Sequence, residues 1–431
     1  MKTPARRALL AVKPPFSRSV GGAVLAALTV VTAVTACSSP YGSSSATPPV
    51  PTTTTIVGAD TPALTKAATL RAKLTYLMVE HAFLFGRAVA ELTKVPGYPH
   101  DDATANLDAN GKDISDLLGQ AYGGSFGSQF SGLWKDRSAA LLQYAQAKAA
   151  GNASDAALAI TNLATNVTSL AQLIHTTNKY LEIHTVSNPP TGIGDELTSD
   201  NQVFQNLVDV ETTNDPTLYA KLVTVAETMP HTAEVLAAAT AKLYPDTYPG
   251  TATGTAANLR SSLTELVVEH VGLVSVTGGL LAGGNDAGPA TAALTNNSTE
   301  LHNAVASIYG DTTAAKFDDA WGSQIQEYTA YAKAKALLDS AGSATAASQL
   351  DTSGQAFGAF ISTATASRVA AGDVAGAFSF QVKALEGVID GAATKAPDGA
   401  SRMRSAAGAV PGWTAKFAEA VAEQFPTRYL P

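Results

Sequence analysis

Residues 69–81 read TLRAKLTYLMVEH, and residues 258–270 read NLRSSLTELVVEH. The two stretches share Leu-Arg, Leu-Thr and Val-Glu-His in the same order, at an offset of 189 residues. A second set of matches follows at an offset of 187 residues, and it pairs Asn110, Tyr122-Gly123, Phe130, Trp134 and Tyr144 with Asn297, Tyr309-Gly310, Phe317, Trp321 and Tyr331. Ordered matches at a nearly constant offset indicate an internal repeat, so we expect one structural unit to occur twice in the chain.

The two copies of the unit are placed at residues 64–248 and 253–430, and a stretch rich in Gly, Thr and Pro joins them. Alanine and leucine are frequent in both copies, and no stretch shows the sustained alternation of a half-buried strand. In the first helix, residues 62–92, apolar residues recur at steps of three and four and form one face, made of Leu70, Leu74, Leu77, Leu84 and Ala88. The predicted fold is therefore all-α: two tandem bundles of four to six helices each, related by internal duplication.

Glycine and proline mark the ends of the other predicted helices. In the first copy we expect helices over 102–121, 128–149 and 154–184, and one or two more over 200–243 with a break near Pro230. In the second copy the expected breaks fall at Gly283-Gly284, Gly310, Gly342, Gly372 and Pro411. Short loops between long helices favour antiparallel neighbours, as in a bundle.

The first 36 residues have the composition of a secretory signal. Five basic residues and no acidic ones lie before residue 20, and the run from Val20 to Ala36 consists of Gly, Ala, Val, Leu and Thr. The run ends in Val34-Thr35-Ala36-Cys37, which resembles the lipobox of bacterial lipoproteins. This resemblance implies cleavage before Cys37, a covalent diacylglycerol on that residue, and a protein anchored on the extracytoplasmic face of the cell membrane. The alternative is a plain signal peptide.

The segment that follows, residues 37–61, is rich in Ser, Thr and Pro and predicts a disordered tether. Two acyl chains give lasting attachment to a membrane, and no later segment is expected to be apolar for long enough to cross one. Without residues 1–36 the chain keeps 23 basic and 36 acidic residues, a formal net charge of −13. Such an acidic body repels nucleic acid, so the expected partners are the membrane, through the anchor, and an unidentified envelope protein or small ligand.

A histidine lies on the apolar stripe of the first helix in both copies, at His81 and His270. Asparagines hold similar positions among the apolar residues of the second helices, at Asn110 and Asn297. A polar group in a core must be hydrogen-bonded, or it costs about 1–3 kcal/mol. We therefore expect His81 to pair with Asn110 and His270 to pair with Asn297.

Two interpretations of these pairs stay open. In the first, they fix the register of packed helices, as a buried polar residue does in a coiled coil. In the second, they belong to a ligand or metal site that also contains Glu80 or Glu269 and a tryptophan, Trp134 or Trp321. Successive helical residues project about 100° apart, so both glutamates are expected at the edge of the stripe, facing solvent or a neighbouring helix. Aromatic residues at helical spacing are usually core residues, which is the expectation for both tryptophans.

Signatures of known catalytic and metal sites are nearly absent from the sequence. A single cysteine excludes a cysteine-based zinc cluster, and the Glu-x-x-His spacing of a di-iron bundle does not occur. Residues 123–127 spell Gly-x-Ser-x-Gly, but that nucleophile elbow needs a strand-to-helix turn, and here the segment joins two predicted helices. We therefore predict no catalytic residue and no cofactor other than the diacylglycerol on Cys37.

The repeated Glu-His and Tyr-Gly segments, together with the lipobox, are similar to those of duplicated all-helical domains in secreted or lipid-anchored bacterial proteins of uncharacterised activity. The first hypothesis is a lipid-anchored, non-enzymatic protein with a binding or cell-envelope interaction role. The second is a metal-binding or redox bundle that uses the core histidines His81 and His270, with the metal unknown. The third is a hydrolase whose catalytic triad is dispersed along the chain.

Overall fold

Helix-favouring segments separated by glycine and proline form thirteen α-helices in the computed structural model, which describes residues 61–93, 102–183, 192–213 and 215–429. The helices are α1 (Lys66–Thr93), α2 (Ala103–Tyr122), α3 (Gly124–Ala149), α4 (Ala153–Thr177), α5 (Ile193–Glu211), α6 (Leu218–Leu243), α7 (Thr255–Ala282), α8 (Gly288–Tyr309), α9 (Asp311–Ala336), α10 (Ser340–Ala364), α11 (Ala371–Thr394), α12 (Gly399–Gly408) and α13 (Val410–Gln424). No strand occurs within the described ranges, and the predicted all-α fold class is confirmed. The predicted signal segment, Cys37 and all of the predicted tether except Thr61 lie outside these ranges.

The two helices that contain the sequence motif, α1 and α7, lie at the centre of the molecule. Most of their side chains are buried on all sides, which differs from the single apolar face predicted for the first helix, because each central helix is surrounded by several others. α2, α3, α5 and α6 contact α1, whereas α8, α9, α11 and α13 contact α7. Because α1 and α7 also pack against each other, the first half (α1–α6) and the second half (α7–α13) form one compact unit. The domain bounds 64–248 and 253–430 stay a prediction.

The predicted break near Pro230 does not occur, because this proline lies buried inside α6, which continues to Leu243. A proline inside a helix removes one backbone hydrogen bond, and here α6 stays continuous across it while packed along α1 and α5. In the second half the break at Pro411 is real. α12 ends at Gly408, and Pro411 lies in the first turn of α13, where its missing N–H has no helical partner to lose.

The central helices α1 and α7 run in the same direction. Thr75 Oγ1 lies 2.7 Å from Ser261 Oγ, and Arg87 Nη1 donates to Ser275 Oγ at 3.1 Å. Later residues of α1 therefore lie opposite later residues of α7, as in a parallel pair of helices. α2 to α6 form the long connection that brings the chain back to start α7 beside the start of α1.

Two buried arginines join the halves in a reciprocal way. Arg71 of α1 donates to the carbonyl oxygen of Ala252, just before α7, at 2.7 Å. Arg260 of α7 donates to the carbonyl oxygen of Ala63, just before α1, at 3.0 Å, and to Thr69 Oγ1 at 2.8 Å. Each arginine thus binds backbone at the start of the other half, which is the contact pattern of an isologous two-fold interface.

Two helices are long and apolar enough to cross a membrane by length and composition, α4 and α7. This differs from the prediction that no segment after the signal reaches that length. In α7, 89% of the apolar window is buried inside the protein, and in α4 the buried share is 39%. The apolar length of α7 is therefore that of a core helix, whose apolar side chains find neighbours within the fold.

The close approach of α1 and α7 depends on Gly272, which lies against the ring of Phe83. A Cβ atom at this position would overlap the ring, so we expect Gly272→Ala to lower the free energy of unfolding by about 1–3 kcal/mol. The matched control is Gly279→Ala on the same helix, where the new Cβ would lie 3.8 Å from the nearest atom. Alanine favours a helix over glycine by about 0.5–1 kcal/mol, so the control should be neutral or stabilising. Urea unfolding measures both variants, and equal losses would contradict the packing argument.

Candidate functional site

The first candidate site is a buried network centred on Asn110. His81 Nδ1 lies 2.8 Å from Asn110 Oδ1, and Asn110 Nδ2 donates to the carbonyl oxygen of Leu77 at 2.9 Å and to Glu80 Oε2 at 2.8 Å. His81, Asn110 and Glu80 are each at most 1% exposed. Because the carbonyl and the carboxylate can only accept, the amide nitrogen must face them, and Asn110 Oδ1 accepts the proton on His81 Nδ1.

The second half contains the same arrangement around Asn297. His270 Nδ1 lies 3.2 Å from Asn297 Oδ1, and Asn297 Nδ2 donates to the carbonyl oxygen of Leu266 and to Glu269 Oε1, both at 3.0 Å. The structure thus brings both predicted histidine–asparagine pairs within hydrogen-bond distance. In each half the asparagine of one helix joins two successive residues of the central helix.

Both glutamates lie deeper than predicted. Glu80 is 1% exposed and Glu269 is fully buried, so the solvent-facing alternative is wrong, and the alternative of a neighbouring helix holds. Tyr76 donates to Glu80 Oε1 at 3.0 Å, and Arg404 of α12 donates from Nε to Glu80 Oε2 at 3.1 Å. Burial raises the pKa of Glu80, while the charge of Arg404 and the hydrogen bonds to its carboxylate oppose that rise. The carboxylate is tolerated in the core because a cation and several donors meet it there.

Aromatic rings enclose both histidines. The ring centroid of His81 lies 5.4 Å from that of Trp134 and 6.0 Å from that of Phe204, and the centroids of His270 and Trp321 are 4.6 Å apart. Within the described residues the Nε2 atoms of both histidines have no hydrogen-bond partner. Burial lowers the pKa of His81 to about 3, helped by the nearby charge of Arg137, and lowers that of His270 to about 4. Both imidazoles are therefore neutral near pH 7.

The predicted tryptophans belong to the core, and neither presents a free face to solvent. Trp134 is 2% exposed and stacks on Phe130 with ring centroids 5.4 Å apart, and the guanidinium of Arg137 lies 4.8 Å from its ring centroid. Trp321 is 1% exposed and stacks on Phe317 at the same distance. Each half therefore stacks two aromatic rings beside its histidine.

The described residues show no arrangement for binding a metal ion. No group of three or more His, Cys, Asp or Glu side chains is placed to hold one in the described ranges. At both histidines the protein supplies an asparagine and aromatic rings as neighbours, and none of these is a usual partner ligand for a transition metal. The network is suited to holding α1 and α2, or α7 and α8, in one register.

A second candidate site, which the sequence-based predictions missed, is an open groove between α2 and α3. Its volume is about 880 Å³. The walls are lined by small residues, among them Gly111, Ser115, Gly119, Gly127 and Ser131, and Trp134 also borders it. We call it the α2–α3 groove. Gly119 and Gly127 let the two helices approach closely, since a Cβ on Gly127 would lie 3.0 Å from the Cα of Gly119.

Charged side chains border the α2–α3 groove in matched pairs. Lys135 of α3 contacts Asp108 of α2 at 2.7 Å, and Lys112 contacts Asp116 within α2. All four residues line the groove. Two cations are thus balanced by two carboxylates, and the groove has no net charge from these side chains.

One signal in the sequence could have located the groove. Glycines recur at steps of eight in the first copy, and the second copy has larger residues at the same offset of 187, where Gly111, Gly119 and Gly127 correspond to Ser298, Ala306 and Ala314. The serine of the Gly-x-Ser-x-Gly match, Ser125, lies in the first turn of α3 after a one-residue junction at Gly123. The strand-to-helix turn that a nucleophile elbow requires is therefore missing around this described segment.

No protein-family model, curated protein or solved structure matches the chain. What the protein does is therefore inferred from its own residues and their geometry.

Proposed function

We propose that this chain is a lipid-anchored extracytoplasmic protein with a non-enzymatic binding role in the cell envelope, built from two copies of one helical unit. The non-enzymatic part of this proposal rests on one observation, the complete burial of both histidines within their networks. His81 and His270 are fully buried, neutral and surrounded by aromatic rings. A general acid or base must come within hydrogen-bond reach of a substrate, and these imidazoles face only the protein's own side chains among the described residues.

The duplication is supported by the order and length of the helices. α1 and α7 each have 28 residues, α3 and α9 each have 26, and α4 and α10 each have 25. The reciprocal contacts of Arg71 and Arg260 also fit two equivalent units that pack about a shared axis. The proposed break between the copies, at residues 249–252, lies between α6 and α7.

The lipid anchor is supported by the position of the only cysteine. Cys37 follows a basic, then apolar, amino-terminal segment, at the one place where a lipoprotein carries its lipid acceptor. With a formal net charge of −13 beyond the signal, the body is repelled by anionic lipid headgroups. Stable attachment to a membrane then depends on two acyl chains rather than on surface charge.

Replacing Cys37 with serine tests the anchor. We expect Cys37→Ser to move the protein from the membrane fraction into the soluble fraction, because serine provides no thiol for the diacylglycerol. Detergent-phase partitioning of the expressed full chain measures this, and Ser39→Ala serves as a control that keeps the cysteine. If Cys37→Ser enters the detergent phase as fully as the control does, the lipid anchor is wrong.

A further inference from the structure

We propose that α5 is a pH-responsive helix, which stays packed against α3 and α6 in mildly acidic solution and detaches from them locally as the pH rises through neutrality. The first half alone has this property, because the corresponding helix of the second half, α11, lacks the groups that respond. The inference goes beyond the binding role proposed above, and it does not depend on the lipid anchor.

Helix α5 buries four of its five carboxyl groups. Asp195, Glu196, Asp200 and Glu211 are each at most 4% exposed. A buried carboxylate is costly unless a cation or several hydrogen-bond donors meet it. The protonation of each carboxyl therefore depends on what faces it from α1, α3, α4 and α6, the helices that pack against α5.

The carboxyl of Asp200 has only part of the partners that a carboxylate needs. Thr232 of α6 donates to its Oδ2 at 2.9 Å, but its Oδ1 has no hydrogen-bond partner among the described residues. Arg137 of α3 donates from Nε to Asn201 at 2.7 Å, and neither of its Nη atoms is hydrogen-bonded within the described ranges. Burial raises the pKa of Asp200 to about 7, and the nearby charge of Arg137 opposes that rise only in part.

Glu211, the last residue of α5, has no cation to balance it. Its Oε2 atom has no hydrogen-bond partner in the described part of the chain, and burial alone raises its pKa well above the ordinary value. Tyr219 of α6 faces it, and the pKa of that phenol is itself raised by burial and by the charge of Glu211. The negative end of the helix dipole further disfavours a carboxylate at this position.

Glu196 is paired with a group that titrates near neutrality. His231 Nε2 of α6 lies 3.0 Å from Glu196 Oε1, and this hydrogen bond raises the pKa of His231 above its ordinary value of 6.5. When His231 loses its proton, the buried Glu196 loses its charged partner. Asp195 and Glu196 both lie in the first turn of α5, where the helix N-terminus favours a negative charge.

The other groups that face α5 do not balance these carboxyls. His81 of α1, whose ring centroid lies 6.0 Å from that of Phe204, is neutral near pH 7. The buried residues of the described helix α4 include no charged side chain. Tyr144 and Lys148 of α3 contact the fifth carboxyl, Asp209, at 2.8 and 2.9 Å.

The three titrating groups act in the same direction. The packed helix keeps protons on Asp200, Glu211 and His231 at pH values where the detached helix, exposed to water, has released them. The free energy of detachment therefore decreases as the pH rises. Detachment also removes Phe204 from the ring of His81, so it connects the buried network of the first half with solvent.

The second half provides an internal comparison. Tyr331 donates to Asp390 at 2.9 Å, as Tyr144 donates to Asp209 at 2.8 Å, which aligns α11 with α5 at an offset of 181 residues. At this offset the four buried acids of α5 correspond to uncharged residues, namely Gly376, Ala377, Gln381 and Ala392.

The cations that face α5 are replaced as well. Arg137 and His231 correspond to glutamine and glycine at positions 324 and 412. The one buried acid of α11, Glu386, is paired with Lys383 at 3.1 Å. We therefore expect α11 to stay packed over the pH range in which α5 detaches.

Amide hydrogen exchange of the full chain at pH 6 and pH 8 tests the proposal, with exchange times scaled for the faster intrinsic exchange at the higher pH. The opening equilibrium constant of α5 amides should rise by about tenfold or more, because each proton released on opening changes this constant by up to about tenfold per pH unit. Amides of α11 should show a clearly smaller rise. Mass spectrometry of peptides from both helices measures the two responses in one sample.

Neutral variants identify the responsible carboxyls. Asp200→Asn combined with Glu211→Gln should remove most of the rise in α5, because both side chains then stay neutral at either pH. Asp209→Asn on the same helix is the matched control and should keep the full rise, since this carboxyl is partly exposed and paired with Lys148. Each single variant should lower the rise, and the single variants decide the matter if the double variant does not fold.

Several outcomes would overturn the proposal. These are equal rises in α5 and α11, a rise that survives in full when both carboxyls are neutral, a rise that is lost in Asp209→Asn, or opening of all helices of the first half together. None of these outcomes bears on the Cys37→Ser result, so the response of α5 and the anchored location stand or fall separately.

Discussion

Asn110→Leu is expected to lower the free energy of unfolding by about 3–5 kcal/mol, because a buried donor left without an acceptor costs about 1–3 kcal/mol and a lost hydrogen bond to a charged group costs about 1.5–3 kcal/mol. The substitution removes the acceptor of the His81 Nδ1 proton and one donor to the carboxylate of Glu80. Both groups stay buried, because leucine fills the volume without opening a path for water. Arg404 still contacts Glu80, so the decrease in the free energy of unfolding is smaller than for a buried carboxylate that has no partner at all.

The measurement is urea unfolding of the full chain at neutral pH. Asn297→Leu should show a comparable loss in the second half, where the same network is present. Asn296→Leu is the matched control for both variants, because it makes the same substitution at an exposed residue of α8, one position before Asn297. Surface changes of this kind usually stay within about 0.5 kcal/mol. A loss at Asn110→Leu no larger than at Asn296→Leu would show that the network does not stabilise the fold.

The two histidines are expected to destabilise the protein as the pH falls from 6.5 to about 4. In the unfolded chain each imidazole binds a proton below its ordinary pKa of 6.5, whereas burial lowers the pKa of folded His81 to about 3 and of folded His270 to about 4. Between pH 6.5 and about 4 the unfolded state therefore binds more protons than the folded state, so the free energy of unfolding decreases as the pH decreases. Each histidine lowers the free energy of unfolding by up to about 1.4 kcal/mol for each pH unit of acidification, which amounts to about 3 kcal/mol at pH 4.

Other buried groups change the stability in the opposite direction as the pH falls, and their contribution must be distinguished from that of the histidines. Burial raises the pKa of Asp200 to about 7, and it raises those of Glu80 and Glu211. Carboxyls with raised pKa values bind protons more readily when folded, so they add stability as the pH falls. The total pH dependence is therefore smaller than the contribution of the histidines alone.

Comparing variants isolates the histidine contribution. His81→Gln and His270→Gln should each make stability fall less steeply between pH 6.5 and pH 4 than in the unmodified chain, and the double variant should combine both changes. Urea unfolding at a series of pH values measures the slopes. An unchanged slope in the double variant would mean that the imidazoles are protonated in the folded protein at these pH values.

Periodicity located the polar core because it depends only on local geometry. Histidine and asparagine at steps of three and four among leucines place their side chains on a buried face whatever the rest of the chain does. That is why the pairs His81–Asn110 and His270–Asn297 could be anticipated from spacing alone. The all-α fold class followed from the same periodic signal.

The burial of Glu80 could not be predicted in this way, because its partner Arg404 lies 324 residues further along the chain. The predicted helix break near Pro230 was wrong for a related reason. The tertiary packing of α6 along α1 outweighs the local tendency of proline to end a helix. The position of the α2–α3 groove is indicated by the glycines that recur at steps of eight in the first copy, but its size depends on how far the two helices separate, and no single-sequence pattern reports that distance.

The crossed arginine contacts at the start of α1 and α7 have a mechanical consequence. Arg260 of α7 holds the carbonyl of Ala63, and the backbone N–H of Ala67 donates to the carbonyl of Pro249 at 3.3 Å. A force applied to the chain ahead of residue 61 therefore enters α1 and the linker at the same point. Separating the first turn of α1 from the fold therefore requires breaking its contacts to α7 and to the linker as well as its own helical hydrogen bonds.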